Sequence, residues 1–372
     1  YVIPQGYLWK YIRQKTTASN AWNTGAGAVV AYSAPTSRIT PGDVLISPTR
    51  NGGSTSYIQP YWIAGEGALS QNASALQPNV GTVAGSAVSP DGRFAYVYSA
   101  NSAMVAHYRI SQAGDLTYVS AYSTYTTNCT DMAFAPSGRF AYLTCGSSIS
   151  TFEVSITGAL TRIAGAEVST SGSWGLAVAS DASSSGIRRF SLNATTGRPT
   201  LLGTTSTGTY PRDIAISPDG RFLYVASSSS TRIDQFQTGS GGTLTALSPA
   251  SVSTSVSTPT GLRVSPDGAY LYTSSGGSGT GQIQRLQINQ ATGVLASLST
   301  TTANSSTYSD LRAIAISPDG TSLHAPSYGG ASILSWPIGS GGALGTQNLI
   351  GTSYNQPVRP AIARPQLAVY AF

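Results

Sequence analysis

A short motif repeated along the chain constrains the fold more than any other feature of the sequence. Each copy has an apolar run, a turn of the type Ser-Pro-Asp-Gly, and a second run rich in Phe, Tyr, Leu and Val, as in Ser217–Val225. Clear copies of the turn begin at Ser89, Ala135, Ser217, Ser265 and Ser317. Apart from one wider interval, neighbouring copies are about 50 residues apart, which is the spacing of propeller blades. The motif therefore predicts a repeat protein.

The turn residues predict a tight hairpin, because Pro presets φ, Asp bonds its own backbone and Gly adopts a left-handed conformation. Two more strands follow in each unit, such as Arg232–Phe236 and Leu244–Leu247. Four antiparallel strands cannot bury both faces alone, so the units must stack around an axis. With only 9% charged residues and 41 Gly, the composition suits strands and turns. The sequence contains no run of about 18 apolar residues, so no membrane-spanning helix is predicted.

Six units are recognisable between Val80 and Thr352, and a seventh is split between the two ends of the chain. Residues 43–78 read as its second to fourth strands, and Val358–Ala363 reads as its missing inner strand. Such an arrangement leaves no open sheet edge. We therefore predict an all-β, seven-bladed β-propeller over residues 43–372, with four antiparallel strands per blade and a ring closed by the N- and C-terminal segments.

Two stretches depart from the repeat. In the unit around Trp174, the equivalent of Gly-Arg-Phe-Leu-Tyr-Val is absent, which predicts that residues are missing between Asp181 and Ala182. Residues 1–42 precede the repeat and form a separate N-terminal extension. They are interpreted either as an extra strand on the side of the propeller or as an arm that docks another subunit or a surface.

The repeated Ser-Pro-Asp-Gly-Arg-Phe-Leu-Tyr-Val, with Gly-x-Leu opening the fourth strand, resembles the lactonase-type seven-bladed propellers. These include relatives of 6-phosphogluconolactonase and carboxymuconate cyclase, and surface propellers with Tyr-Val-Thr-Asn repeats. The resemblance implies Pro-Arg-His at an inner strand and Asn-Glu after a second strand in active members. Here Pro211-Arg212-Asp213 keeps only the Arg, and Ala226-Ser227-Ser228 lacks the acidic residue. The only histidines, His107 and His324, lie on a predicted third and second strand.

Alignment of the first strands places one set of side chains near the same mouth of the channel: Asp131, Trp174, Arg212, Asp213, Asp310, Arg312 and Arg359. Arginines there could hold a carboxylate, a phosphate or an acidic sugar, because guanidinium binds oxyanions through two hydrogen bonds. Alternatively, these charges pair with one another and hydrate the channel. No nucleophile with a base and an orienting group is recognisable, and two separate histidines predict neither a metal site nor a cofactor.

The two cysteines and the glycosylation sequons bear on location. Pairing Ala135 with Arg139 in their hairpin places Cys129 opposite Cys145, which favours a disulfide, with two buried free thiols as the alternative. Asn72, Asn128, Asn193 and Asn304 begin sequons that permit glycosylation. A disulfide and occupied sequons would both fit an extracellular protein.

The loss of the family's histidine favours a binding or structural role over catalysis. The sequence thus predicts a secreted or surface-exposed propeller that binds other protein subunits, a glycan or an acidic surface. Nucleic acid is excluded as a partner because the basic residues are scattered. One alternative is a lactonase or cyclase acting on an acidic sugar lactone or a muconate-type compound, with Arg212 and Arg312 holding the oxyanion. A second alternative is a lectin.

Overall fold

The computed structural model describes residues 15–17, 30–32, 43–51, 55–64, 67–135, 137–146, 148–169, 186–352 and 356–363. The chain forms two compact units, Tyr1–Gly42 and Asp43–Phe372. In the first unit, β1 (Lys15–Thr17) pairs antiparallel with β2 (Val30–Tyr32). The predicted break between Asp181 and Ala182 lies outside the described residues.

The described part of the second unit consists mainly of β-strands. Its strands are β3 (Asp43–Asn51), β4 (Thr55–Ile63), β5 (Leu69–Gln71), β6 (Val83–Val88), β7 (Phe94–Ser99), β8 (Met104–Ile110), β9 (Leu116–Ser123), β10 (Cys129–Phe134), β11 (Phe140–Cys145), β12 (Ser148–Val154), β13 (Leu160–Arg162), β14 (Val168–Ser169), β15 (Gly186–Leu192), β16 (Pro199–Ser206), β17 (Pro211–Ile216), β18 (Phe222–Ser227), β19 (Arg232–Thr238), β20 (Leu244–Ser253), β21 (Pro259–Val264), β22 (Tyr270–Ser275), β23 (Gln282–Ile288), β24 (Leu295–Thr302), β25 (Ala315–Ile316), β26 (Ser322–Ser327), β27 (Ser332–Pro337), β28 (Asn348–Gly351) and β29 (Ala361–Ala363). Single 3₁₀ turns lie at Ser228–Ser230, Ser240–Gly242 and Ser340–Gly342. No helix in this part of the chain is long and apolar enough to cross a membrane.

These strands form the antiparallel sheets of an all-β propeller. Four sheets follow chain order, β6 to β9, β17 to β20, β21 to β24 and β25 to β28. The sheet of β10 to β13 has β14 as an additional partner of β12, and β15 pairs with β16 alone. In the remaining sheet, with order β29-β3-β4-β5, Ile362 lies opposite Leu45. A strand from the C-terminal end therefore completes the sheet that begins at Asp43.

The repeated turn is held by its own side chains. In the copy at Ser217, the serine hydroxyl donates to Asp219 at 2.6 Å and accepts from the backbone N–H of Phe222 at 3.0 Å. Gly220 has a φ of 74°, in the left-handed region. The copies at Ser89, Ser265 and Ser317 make the same Ser–Asp hydrogen bond. Local chemistry of the motif thus fixes the inner hairpin of each of these sheets.

The second half of the motif joins each sheet to the next. The hydroxyls of Tyr96, Tyr142, Tyr224 and Tyr272 donate to the carbonyls of Gly158, Gly197, Gly293 and Gly342, at 2.7, 3.0, 2.7 and 2.7 Å. Each glycine belongs to the outer hairpin of the following sheet, and each has a positive φ. The aromatic residue two positions before each tyrosine packs against the same glycine. The motif therefore encodes the contact between sheets as well as the hairpin.

This contact predicts that Gly293→Ala destabilises the protein more than Gly220→Ala does. Both glycines have a left-handed φ, of 76° and 74°, so both variants incur the same backbone strain of about 1–2 kcal/mol. A β-carbon at position 293 would also overlap the Phe222 ring, whereas nothing lies within 4 Å at position 220. Urea unfolding is expected to show an additional loss of about 1–3 kcal/mol for Gly293→Ala. Equal losses would contradict the inter-sheet contact.

Candidate functional site

The inner strands begin with a β-bulge at the same position in several sheets. The pairing register shifts between Val83 and Gly85, Cys129 and Asp131, Pro211 and Asp213, and Pro259 and Gly261. Bulges redirect the side chains that follow them. The residue after the bulge is an aspartate in two of these strands, and both aspartates take part in the same group of charges.

That group, the channel cluster, consists of Asp131, Asp213, Arg263 and Arg359. Arg359 Nη1 lies 2.9 Å from Asp131 Oδ2, and its Nη2 lies 3.8 Å from Asp213 Oδ1. Arg263 Nη1 lies 2.9 Å from Asp213 Oδ2, which also accepts from the backbone N–H of Leu262 at 3.0 Å. Three inner strands, β10, β17 and β21, and the segment that precedes β29 thus meet at one set of ion pairs.

Two buried carboxylates determine the charge of Arg359. Its side chain is 16% exposed, and those of Asp131 and Asp213 are 17% and 5% exposed. Burial alone would lower the pKa of Arg359, but the carboxylates of Asp131 and Asp213 outweigh it and hold the pKa above its usual range. Arg359 is therefore a permanent cation between two carboxylates.

The cluster lies on the wall of a cavity at the inner strands. A space of about 410 Å³ is lined by Asp131, Arg263 and Arg359, together with apolar residues such as Val88 and Ile362. An adjoining space of about 350 Å³ shares those three side chains and adds Asp213. Charged groups are thus placed in a partly apolar cleft, an arrangement typical of binding and catalytic sites.

Arg263 was missed by the sequence analysis, although the sequence holds a signal for it. Its cross-strand partner is Tyr272. The residues at the equivalent position of the other described inner strands are Ala87, Ala133, Ala215, Ala315 and Ala361. An arginine in a layer of alanines is an exception that an alignment of the repeats by cross-strand partner would have revealed.

The other predicted site residues lie elsewhere. Arg212 is the bulged residue beside Asp213, is half-buried, and does not line the two cavities. Asp310 and Arg312 pair with each other at 2.6 Å before β25, where Arg312 is 59% exposed. The Arg312 guanidinium covers the Tyr328 ring at 4.0 Å, and Asp310 accepts from the backbone N–H of Gly277. Trp174 lies outside the described residues.

Cys129 and Cys145 lie opposite each other at the ends of β10 and β11 and are joined by a disulfide. Among the sequon residues, Asn128, Asn193 and Asn304 are exposed. Asn72 is half-buried, and its side-chain amide donates to Ala113 O at 3.1 Å. Among the residues that the structure describes, no group of three or more His, Cys, Asp or Glu is placed to hold a metal ion.

Comparison with known proteins places this chain in a family. Residues 64–174, 143–246 and 239–362 match the family described as lactonase, 7-bladed β-propeller. No curated protein sequence matches the chain.

Solved structures share the fold. The periplasmic gluconolactonase of Pseudomonas aeruginosa superposes with a TM-score of 0.73 at 17% identity, covering 87% of this chain and 99% of that one. Candidate 6-phosphogluconolactonases of Bacteroides fragilis and Bacteroides uniformis each give a TM-score of 0.70, at 18% and 21% identity. Each covers 87% of this chain, and 98% and 99% of its own.

These matches overturn one prediction. The interpretation as a secreted structural or binding module is wrong, because the family and the structural neighbours point to lactonases. That interpretation rested on the loss of a histidine and of an acidic residue from the motifs of the family. The chain belongs to the lactonase family of β-propeller proteins.

Proposed function

We propose that this protein hydrolyses the lactone of a sugar acid at the channel cluster. The observation that carries the proposal is the pairing of carboxylates with arginines on the wall of a cleft of about 410 Å³. Lactone hydrolysis needs a base for water and a cation for the oxyanion that forms on the carbonyl. The family match and the names of the neighbouring structures, gluconolactonase and 6-phosphogluconolactonase, support the same chemistry.

In the proposed reaction, Asp131 acts as the base, because it is the more exposed of the two carboxylates, at 17% against 5% for Asp213. It accepts a proton from water while the water oxygen bonds to the lactone carbon. The carbonyl electron pair moves to the carbonyl oxygen, where Arg359 stabilises the negative charge. The electron pair on the oxyanion then re-forms the carbonyl as the ring C–O bond breaks, and the proton on Asp131 passes to the ring oxygen, so the products are a carboxylic acid and an alcohol.

Arg263 has a different role in this scheme. Its side chain is 33% exposed, the most exposed of the channel cluster. It lines both cavities, and its pairing with Asp213 holds it in place. Guanidinium groups bind carboxylate and phosphate oxygens through two hydrogen bonds. Arg263 is therefore proposed to bind an anionic group of the substrate.

The proposal is tested with Asp131→Asn, which keeps the shape of the side chain and removes the base. Hydrolysis of D-glucono-1,5-lactone and of its 6-phosphate is followed by proton release in weakly buffered solution. Loss of a positioned base is expected to lower kcat by about 100-fold or more. The matched control is Asp115→Asn, which changes an exposed carboxylate in the loop between β8 and β9 and is expected to keep full activity.

The melting temperature of both variants shows that the comparison concerns folded protein. Absence of turnover of both lactones by the wild-type protein would remove the proposed function. Equal kcat values for Asp131→Asn and the wild-type protein would remove Asp131 as the base.

We further propose that the ring has seven blades and that β29 closes it. The pairing of β29 with β3 supports closure, as does the hydrogen bond from the Ser86 N–H to Arg359 O at 3.1 Å, which links β6 to the C-terminal segment. The pair β15–β16, which follows β14 and precedes β17, would be the outer half of the remaining blade. The inner half expected around Trp174 lies outside the described residues.

An extracellular location is proposed as well. The Cys129–Cys145 disulfide supports it, since disulfides persist mainly in oxidising compartments.

A further inference from the structure

Tyr98 reaches the channel cluster through a gap left by a glycine. Tyr98 on β7 pairs with Gly85 on β6. Gly85 follows the bulge of its strand, at the position where other inner strands carry Asp131 and Asp213. A β-carbon at Gly85 would overlap the Tyr98 hydroxyl and would lie 3.1 Å from Arg359 Cβ. The phenol thus occupies the place where a side chain of the inner strand would point toward the channel.

The hydroxyl of Tyr98 is a buried donor without a partner. Tyr98 is 0% exposed, and its hydroxyl makes no hydrogen bond with any described residue. By contrast, the hydroxyl of Tyr96, two residues earlier on the same strand, donates to Gly158 O at 2.7 Å. Leaving a buried donor unsatisfied costs stability, so such a group calls for an explanation. A ligand that is absent from the folded chain itself would supply one.

The charges around this hydroxyl indicate what kind of ligand it would bind. Burial raises the pKa of Tyr98 well above its usual range, and the Asp131 carboxylate raises it further. Arg359 and Arg263 act in the opposite direction and lower the pKa of Tyr98, while Asp213 raises it. The phenol therefore stays protonated at neutral pH and can donate a hydrogen bond. Since a protonated phenol donates, and since two guanidinium groups that bind oxyanions lie near it, the ligand group that fits here is an oxygen that carries negative charge.

We propose that the Tyr98 hydroxyl is the second donor, beside Arg359, to the carbonyl oxygen of the bound substrate, and that it stabilises the oxyanion formed during hydrolysis. This inference rests on the proposed function. Tyr98 lines neither of the two cavities, so the proposal includes a movement of the Arg359 side chain from Asp131 toward the ligand, which opens a path from the cavity to the phenol. No proton leaves Tyr98: the water proton goes to Asp131 and then to the ring oxygen. Tyr98 thereby gains in the transition state the hydrogen bond that it lacks in the free protein.

The first test compares Tyr98→Phe with Tyr96→Phe. Removal of one oxyanion donor is expected to lower kcat for D-glucono-1,5-lactone by about 100-fold. The melting temperature of Tyr98→Phe should equal or exceed that of the wild-type protein, since no hydrogen bond of the folded chain is lost. Tyr96→Phe is expected to keep its kcat and to melt at a lower temperature. An unchanged kcat in Tyr98→Phe, or a drop in its melting temperature like that of Tyr96→Phe, overturns the inference.

The second test does not depend on turnover. In protein labelled with ¹³C at the ζ-carbon of tyrosine, the Tyr98 signal is the one missing from Tyr98→Phe. Titration with gluconate, the product of lactone opening, is expected to shift this signal and to leave that of Tyr96 in place. A Tyr98 signal that stays fixed up to millimolar gluconate counts against the inference. If the wild-type protein hydrolyses no lactone but the signal shifts, the proposed function fails while the ligand contact of Tyr98 stands.

Discussion

Arg359→Met is expected to lower the free energy of unfolding by about 3–5 kcal/mol. Methionine fills much of the space of the arginine stem but removes the charge that lies 2.9 Å from Asp131 and 3.8 Å from Asp213. Both carboxylates remain, at 17% and 5% exposure, and Asp213 keeps its pair with Arg263 while Asp131 loses the pair with Arg359. Removal of one partner of a buried pair is costly because the other charge is left without compensation.

Urea unfolding at neutral pH measures this loss, and an exposed pair provides the control. Arg139 Nη2 lies 3.1 Å from Glu153 Oε1, but the two side chains are 51% and 47% exposed. Arg139→Met should therefore change stability by about 0–1 kcal/mol. The double variant Arg359→Met with Asp131→Asn is expected to regain part of the loss, because it removes one uncompensated charge. Equal effects of Arg359→Met and Arg139→Met would show that the channel cluster is solvated and contributes little.

The repeat could be predicted because its chemistry is local. The turn at Ser217 is fixed by hydrogen bonds within six residues of sequence, so all the residues that form it stand together in the motif. Ile362 and Leu45 lie more than 300 residues apart in the sequence, yet their pairing was predicted. The repeat at residues 43–78 lacked an inner strand, and the C-terminal end of the chain offered one. The prediction followed from the spacing of the repeat and from the expectation that every blade has four strands.

The pairing register of neighbouring strands was harder to predict, because a β-bulge shifts the register and has no clear signature in the sequence. The predicted pairing of Ala135 with Arg139 implies that Met132 lies opposite Tyr142, but Met132 lies opposite Leu143. A register shift between Cys129 and Asp131 then brings Cys129 opposite Cys145. The two cysteines meet through this bulge rather than through the regular hairpin that the prediction assumed.

The channel cluster was foreseen only in part. Asp131, Asp213 and Arg359 follow bulges or lie at the start of an inner strand, so alignment of first strands brought them together. Arg263 lies two residues further along its strand and reaches Asp213 only because its side chain is long. Tyr98 lies on a second strand, and its hydroxyl fills the space beside position 85 because that residue is a glycine. Contacts made by side-chain length, or by the absence of a side chain, are not visible in a strand alignment.

The protein is expected to lose about 4 kcal/mol of stability between pH 7.5 and 5.0, because its histidines are buried as neutral groups. The chain has two histidines, His107 and His324, and both are 0% exposed. Burial, with a smaller effect from Arg109, lowers the pKa of His107 to about 4. Burial lowers the pKa of His324 to about 3, against a small opposing effect of Asp319.

The sign follows from which state binds the proton. Below pH 6.5 the unfolded chain protonates both histidines while the folded chain does not, so protons favour unfolding. The contribution of the two neutral histidines to the free energy of unfolding is therefore fully present above about pH 6.5. It falls as the pH decreases, by up to about 1.4 kcal/mol per pH unit for each histidine. The loss from His107 levels off near pH 4 and that from His324 near pH 3. The lowered pKa of Asp219, about 2, changes the stability only below about pH 4 and therefore not between pH 7.5 and 5.0.

The variant His107→Phe isolates one of the two groups. His107 stacks on Tyr96 at 5.0 Å between ring centres and meets Phe94 edge-on at 5.2 Å, and neither ring nitrogen has a hydrogen-bond partner among the described residues. Phenylalanine suits this aromatic cage and does not titrate. Urea unfolding at pH 7.5, 6.0 and 5.0 should show half the wild-type dependence on pH, whatever the absolute stability of the variant, because only His324 still titrates. An unchanged pH dependence would mean that His107 takes up its proton in the folded state, and that its cage is open to water.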